Sequence, residues 1–352
     1  MKKRILISVV VLLVLGILLG FLQLLVVPKY TDNREGALIR EYYAEAGEND
    51  VIFVGDCEIY ESFIPAVMWE EYGITSYLRG SPQQLAWHSY YLLEETFRYE
   101  KPKAVVYNVL ALKYGEPQSE SFNRMTLDGM KWSSSKTGAI RASMTEEESF
   151  LDYLFPFLRY HSRITELTSD DLTYAFAEPP TVSHSGYLMQ TDILPKTEEE
   201  QEDEEGGRLL SDYTLPESSM AYLEKMRVLC EENGSELILV KAPTNTWAYW
   251  WYDEWEEQIE EYALSHGLAY YNFIPLCEEI GIDWNTDTYD KNVHLNVYGA
   301  EKLSRYFGQI LSETHGIADR RQEPAVARVR NELLTRYKDD KEQSIKERNQ
   351  AS

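Results

Sequence analysis

Two short stretches of this 352-residue sequence carry side chains able to perform covalent chemistry together. The first is Gly55-Asp56-Cys57-Glu58, directly after the apolar run at residues 51–54; the second runs from Asp290 to Gly299 and contains His294. A thiol becomes a strong nucleophile on losing its proton, and imidazole is the usual group to accept that proton, so Cys57 and His294 form a candidate nucleophile and base. Asp290, four residues before His294, is the candidate for orienting the ring, with Asp287 or a carboxylate elsewhere as the alternative. A lone cysteine is ordinarily a core residue. Cys57 stands apart because a helical pattern follows it, and a helix N-terminus lowers the pKa of a thiol placed there. Cys230 and Cys277 lie in helical apolar patterns and read as structural, and three cysteines this far apart give no disulfide framework. The patterns G-x-S-x-G, H-E-x-x-H, G-x-G-x-x-G and the P-loop are absent from the sequence, and neither a metal nor a cofactor is expected.

For Cys57 and His294 to meet, the elements between them must bring distant strand ends to one edge. Strand-like runs at 51–54, 74–78, 104–109, 236–241 and 268–272 alternate with helical patterns at 65–72, 83–99, 220–232, 255–266 and 297–314. That alternation predicts an α/β fold with a five-stranded parallel sheet covered on both faces, in which ligands bind at the C-terminal strand edge. Cys57 after the first strand and His294 after the last would both project from that edge. The alternation breaks over residues 110–215. There, apolar and aromatic residues at 122–163 predict a mostly helical cap beside the active face, and like-charge repulsion in the acidic segment 197–207 predicts disorder. Residues 318–352 are highly charged and read as an exposed helix or disordered tail outside the core.

At the other end, Lys2, Lys3 and Arg4 precede an uncharged run at residues 5–27, long enough to cross a membrane as a helix. No small-residue cleavage site or lipid-attachment cysteine follows, which favours an uncleaved anchor (residues 1–29) over a cleaved signal peptide. The basic cluster keeps the N-terminus cytoplasmic, so the rest of the chain is expected outside, beginning with a polar helical stalk at 30–50. A formal charge of −25 opposes nucleic-acid binding.

At several blocks the sequence resembles the SGNH/GDSL hydrolase superfamily, and within it membrane-anchored DltD-like and alginate-acetylation-like proteins of Gram-positive bacteria. These blocks are Val54-Gly-Asp-Cys-Glu58, Trp69-Glu-Glu-Tyr-Gly73, Gly80-Ser-Pro-Gln-Gln84, Lys101-Pro-Lys-Ala-Val-Val106, Val240-Lys-Ala-Pro243 and His294-Leu-Asn296. The resemblance implies a flavodoxin-like three-layer fold over residues 51–317. It gives Cys57 the place of the family's nucleophilic serine, Gly80 and Asn108 the oxyanion hole, and His294 the base. The sequence departs from the family in having Cys for Ser, and in spacing Asp290 four residues from the histidine where the family has three. Arg159, His161 and Arg163 in the cap, and Lys241, are further candidates for contacting substrate; for the cap trio the alternative is a solvated helix face. Trp247, Trp250, Trp251 and Trp255 could line a sugar cleft or simply pack. The function implied is acyl transfer to, or ester hydrolysis on, a cell-wall or exopolysaccharide glycan, with a membrane O-acyltransferase of the MBOAT type as partner. The alternative is a catalytically inactive scaffold that keeps the fold and serves such a partner.

Overall fold

The computed structural model describes residues 2–27, 34–174, 177, 180–202, 209–246 and 249–351. Its centre is one sheet of five parallel strands: β1 (Val51–Gly55), β2 (Ser76–Gly80), β3 (Ala104–Asn108), β4 (Glu236–Lys241) and β5 (Ala269–Asn272), in the order 2-1-3-4-5. This is the order of doubly wound sheets of the flavodoxin type, whose topological switch point falls between β1 and β3.

The helices are α1 (Lys2–Val26), α2 (Arg34–Glu45), α3 (Cys57–Ser62), α4 (Pro65–Tyr72), α5 (Ala86–Tyr99), α6 (Glu120–Leu127), α7 (Ser134–Ser143) and α8 (Phe150–Leu154). There follow α9 (Pro156–Tyr160), α10 (Ser169–Tyr174), α11 (Glu198–Glu202), α12 (Glu217–Asn233), α13 (Asp253–His266), α14 (Cys277–Ile280), α15 (Val297–Glu313) and α16 (Pro324–Ala351). Strand side chains alternate between faces, as a period of two requires. Val51 and Phe53 of β1, Val106 of β3 and Val240 of β4 meet α4 and α15 through Met68, Leu303 and Phe307. Ile52 and Val54, with Val105 and Leu239, instead meet α5, α12 and α13 through Leu93, Met226 and Ile259. With both faces buried, the strands read as continuous apolar runs.

Three expectations from the sequence change. The segment at 30–50 is not a free stalk over its described part: Ala37, Leu38, Ile39 and Tyr42 of α2 are fully buried in the domain. The charged C-terminal region is one 28-residue helix. It is docked along α4, with Val326, Arg330 and Tyr337 buried and Trp69 Nε1 donating to Asn331 Oδ1 at 2.9 Å. The insertion helices α6 and α7 pack on α2 and α5 around Ile39, Leu92, Leu127 and Ile140, and Thr126 of α6 meets Ser81 directly after β2. Of the acidic segment, Glu198–Glu202 is helical and residues 203–208 lie outside the described residues. Helix α1 is apolar and long enough to span a membrane.

Candidate active site

The edge of the sheet at β1 is shaped first by backbone. Gly55 has φ +154°, and a Cβ there would meet Ile59 Cγ1 at 2.6 Å, so only glycine lets α3 start this close to the strand. Asp56 caps α3, its Oδ1 accepting from Glu58 N at 3.2 Å. Cys57 is thereby the first residue of α3, and its N–H belongs to the first turn, where no helix carbonyl is available to accept it.

Behind Cys57 lies a buried polar cluster. Glu58 accepts from Lys241 Nζ at 2.7 Å and from Asn108 Nδ2 at 2.8 Å. Asn108 Nδ2 also donates to Asp56 Oδ1 at 3.1 Å, and its Oδ1 accepts from Ala242 N at 3.2 Å. Burial, then the neighbouring Glu58 charge, push the Asp56 carboxyl up to about 7. Lys241 is wholly buried in this cluster and donates also to the Ala242 carbonyl, so it faces no substrate. Both protons of the Asn108 amide are engaged here, which leaves none for an oxyanion. Gly80 ends β2 beside Gly55, and a Cβ on it would meet Tyr60 Cδ1 at 2.9 Å; close packing accounts for its small size.

His294 arrives from the other side, on the loop between α14 and α15. Lys291 and Asn292 both adopt left-handed conformations, with φ +60° and +64°. This turn absorbs the extra residue between Asp290 and His294, so a four-residue spacing still closes the contact. Asp290 Oδ1 accepts from His294 N at 2.8 Å, and Oδ2 lies 2.5 Å from Nδ1. Asp287, the alternative orienter, is engaged with Lys302 Nζ at 2.6 Å and Asp283 N at 2.8 Å. Asn296 of the His-Leu-Asn block caps α15, accepting from Tyr298 N and Gly299 N.

Four residues that the sequence reading passed over complete the site. Glu61 Oε2 stands 3.3 Å from His294 Nδ1 and accepts from Tyr289 Oη at 2.9 Å. Tyr249 Oη lies 3.0 Å from Cys57 Sγ, as donor or acceptor, and its ring meets that of His294 edge-on at 5.2 Å. Lys113 Nζ sits 5.4 Å from the Tyr249 ring centroid. The sequence held one signal for these: Glu61 is four residues after Cys57 and so shares its helix face. Tyr249, Tyr289 and Lys113 come from three separate loops or turns, and no spacing links them.

His294 Nε2 is buried and outside normal hydrogen-bond geometry to any described residue. Nδ1 is taken by Asp290 and Glu61, so Nε2 is the ring nitrogen without a partner, and the Cys57 thiol is close enough to shift the imidazole and be shifted by it. Burial pulls the imidazole down, but Cys57, Glu61 and Asp290 together hold it well above its usual range. A raised imidazole is a stronger base. Burial raises the Cys57 thiol, with Asp56 and Glu61 adding to the rise and His294 opposing it. The helix N-terminus does not bring the thiol below its ordinary value, contrary to the expectation from sequence, because desolvation is the largest influence. Tyr249 is held protonated by burial and by the Cys57 and Asp56 charges.

The cap trio lies elsewhere. Arg159 forks onto Glu120, His161 Nδ1 lies 3.1 Å from the Leu158 carbonyl oxygen, and Arg163 donates to the Val26 carbonyl at 2.8 Å and to Asp171 at 3.1 Å. Trp247 lies outside the described residues, whereas Trp251 and Trp255 are buried against one another. Trp250 and Trp251, with Thr244, Asn245, Thr246 and Ile274, line a cavity of about 170 Å³ whose lining includes neither Cys57 nor His294. Compared with protein-family models and with curated proteins, the chain matches none.

Proposed function

We propose that this chain is an extracytoplasmic SGNH-type enzyme that moves O-acyl groups on a cell-wall or exopolysaccharide glycan, with Cys57 as nucleophile. The observation that carries the proposal is that Asp290 and Glu61 both stand on Nδ1 of His294, whose imidazole and the Cys57 thiol each shift the other's proton affinity and share Tyr249 as a neighbour. Cys57 Sγ attacks the acyl carbonyl while its proton passes to His294 Nε2. The developing oxyanion is met by the Cys57 N–H, with the Lys113 charge nearby. Collapse breaks the ester C–O bond, the leaving hydroxyl takes the proton from the imidazolium, and a thioester remains on Cys57. A sugar hydroxyl or water then attacks the thioester, His294 takes its proton, and the thiol leaves. The wall formed by Trp250 and Trp251 suits the face of a pyranose.

The anchor reading rests on α1, and the basic residues Lys2, Lys3 and Arg4 at its start support an orientation with the domain outside. Seven peptide steps separate Val27 from Arg34, at most about 25 Å of chain, and Leu38 of α2 packs against Cys57. The site therefore works near the membrane face, where a membrane O-acyltransferase of the MBOAT type would hand over acyl groups.

Two observations favour the scaffold alternative: the thiol is covered by Tyr249 and raised by burial, and both protons of the Asn108 amide are engaged. The two readings separate on treating the full-length chain with an activated ester, followed by mass spectrometry of the trapped protein. The enzyme reading expects an acyl group on Cys57 and none in Cys57→Ala. An unmodified Cys57, or glycan acylation in cells unaffected by Cys57→Ala, overturns it.

A further inference from the structure

The second half of the insertion has no core of its own. Across residues 154–173 the only buried side chain is Asp171, although the segment is rich in apolar residues. Leu151, Leu154, Phe155, Leu158, Ile164 and Leu172 are each 40–53% exposed. A soluble protein seldom leaves so many large apolar side chains bare in so short a stretch. The preceding half, α6 and α7, buries its apolar residues in the ordinary way, so composition alone does not explain the difference.

Position does. Helices α9 and α10 and the 3-10 turn between them (His161–Glu166) contact α1, and Arg163 caps its last turn through the Val26 carbonyl. On α1 every residue from 2 to 20 is exposed, whereas Phe21, Leu22 and Gln23 are half covered and Val26 is buried. The bare apolar length, residues 5–20, spans only about 24 Å at a rise of ~1.5 Å per residue. The hydrocarbon layer is about 30 Å thick. Measured from the basic residues at its inner edge, the layer reaches residue 24, which is already level with the segment around α9 and α10.

We infer that residues 150–174 form a lipid-facing foot: α8 to α10 lie in the outer interfacial layer with Leu154, Phe155, Leu158 and Leu172 among the acyl chains. The inference rests on the reading of α1 as a membrane span. It fits an apolar foot better than an electrostatic one, because the two arginines nearest the surface are already paired with Glu120 and Asp171. The bilayer then fixes the orientation of the domain, which a single flexible tether would leave free.

Depth-dependent quenching tests this in the full-length chain, reconstituted in phosphatidylcholine vesicles containing doxyl-labelled lipid. In a background with Cys57→Ala, Cys230→Ala and Cys277→Ser, which leaves no native thiol, a small fluorophore is attached at Leu158→Cys, Leu172→Cys, Leu13→Cys or Leu264→Cys, the last being exposed on α13. The expected result is strong quenching at 13, clear quenching at 158 and 172 by lipid labelled just below the headgroup, and none at 264. If 13 is quenched but 158 and 172 behave like 264, the span stands and the foot is wrong, and a protein partner covers that surface instead. If 13 itself is unquenched, the span reading fails and takes the foot with it.

Discussion

Two clusters at the same sheet edge each set a pair of carboxylates against a nitrogen base, yet they differ in what is left over. In the first, Asp56 and Glu58 enclose Asn108 and Lys241; both Asn108 amide protons are taken by the two carboxylates, and Lys241 donates to Glu58 and to the Ala242 carbonyl. In the second, Asp290 and Glu61 both address Nδ1 of His294, and Nε2 remains for the thiol. A closed network rigidifies the strand ends; an unclosed one leaves a base with somewhere to put a proton. On the proposed function, the β1–β4 cluster holds Cys57 in place and the loop cluster acts on it.

The largest expected effect breaks the closed cluster. Lys241→Met keeps the side-chain length but strands the Glu58 carboxylate, and removing one partner of a buried pair costs about 3–5 kcal/mol. Chemical denaturation of the full-length chain in micelles is the measurement. A loss under 1 kcal/mol would mean that the cluster is wetter than its burial indicates, and would remove the contrast with the loop.

Asp56→Asn sharpens the same contrast through pH. The folded carboxyl is held at about 7, above its ordinary 3.8. Between those values the folded state binds more protons than the unfolded one, so this group lowers stability as pH rises from about 4 to 7, after which its contribution is flat. At pH 8 the penalty approaches ~4 kcal/mol as an upper bound. Asn can still accept from Glu58 N, so the variant should match the parent at low pH and exceed it at pH 8. Identical profiles would show that Asp56 titrates near its ordinary value.

The sheet and most helices were legible because their apolar periodicity is set locally: the expected helix at 65–72 and strand at 236–241 are α4 and β4. Strand β2 is displaced from the expected 74–78 to Ser76–Gly80, because Thr75 O accepts from Asp50 N and Val51 N and so fixes where pairing with β1 begins. Nothing within one strand reveals its register. The burial of α2 and α16 was equally hidden, since Arg330 and Tyr337 are inside only because α4 and neighbouring residues accept them. At the site, Cys57 and His294 could be read from their place at strand ends. Asp290 could be named as the partner of His294, but how a four-residue spacing closes onto the ring could not, because it depends on two left-handed residues that composition does not announce.

On the loop cluster the two carboxylates are unequal. Asp290 makes the shorter contact with Nδ1 and also holds the His294 backbone, whereas Glu61 is 3.3 Å away and shares its oxygen with Tyr289. Asp290→Asn should slow alkylation of Cys57 by iodoacetamide about 10–100-fold, the usual loss when a ring's orienting partner is removed. Glu61→Gln should slow it less. The reverse order would make Glu61 the orienting residue and Asp290 a turn-stabilising one.

The smallest effect concerns Tyr249, and it decides what the phenol is for. If Tyr249 donates to the Cys57 thiolate, Tyr249→Phe removes one hydrogen bond from the charged form only. A bond of about 1 kcal/mol corresponds to roughly fivefold slower alkylation at neutral pH. The deficit should vanish at high pH, where the thiol is ionised in both proteins. If the thiol instead donates to the phenol, the neutral form loses the bond and labelling becomes faster at neutral pH, because the ground state of the thiol is raised. A third outcome is steric: Tyr249 covers Sγ, and Phe covers it equally, so an unchanged rate with Phe but a faster one with Tyr249→Ala would make the ring a shield. The pH–rate profile of the Phe variant separates donation to the thiolate from the other two, since that arrangement alone gives a slowing confined to the range below full ionisation. Such a slowing would tie the residue over Cys57 to the proton that His294 is proposed to move, and so extend the loop cluster by one member.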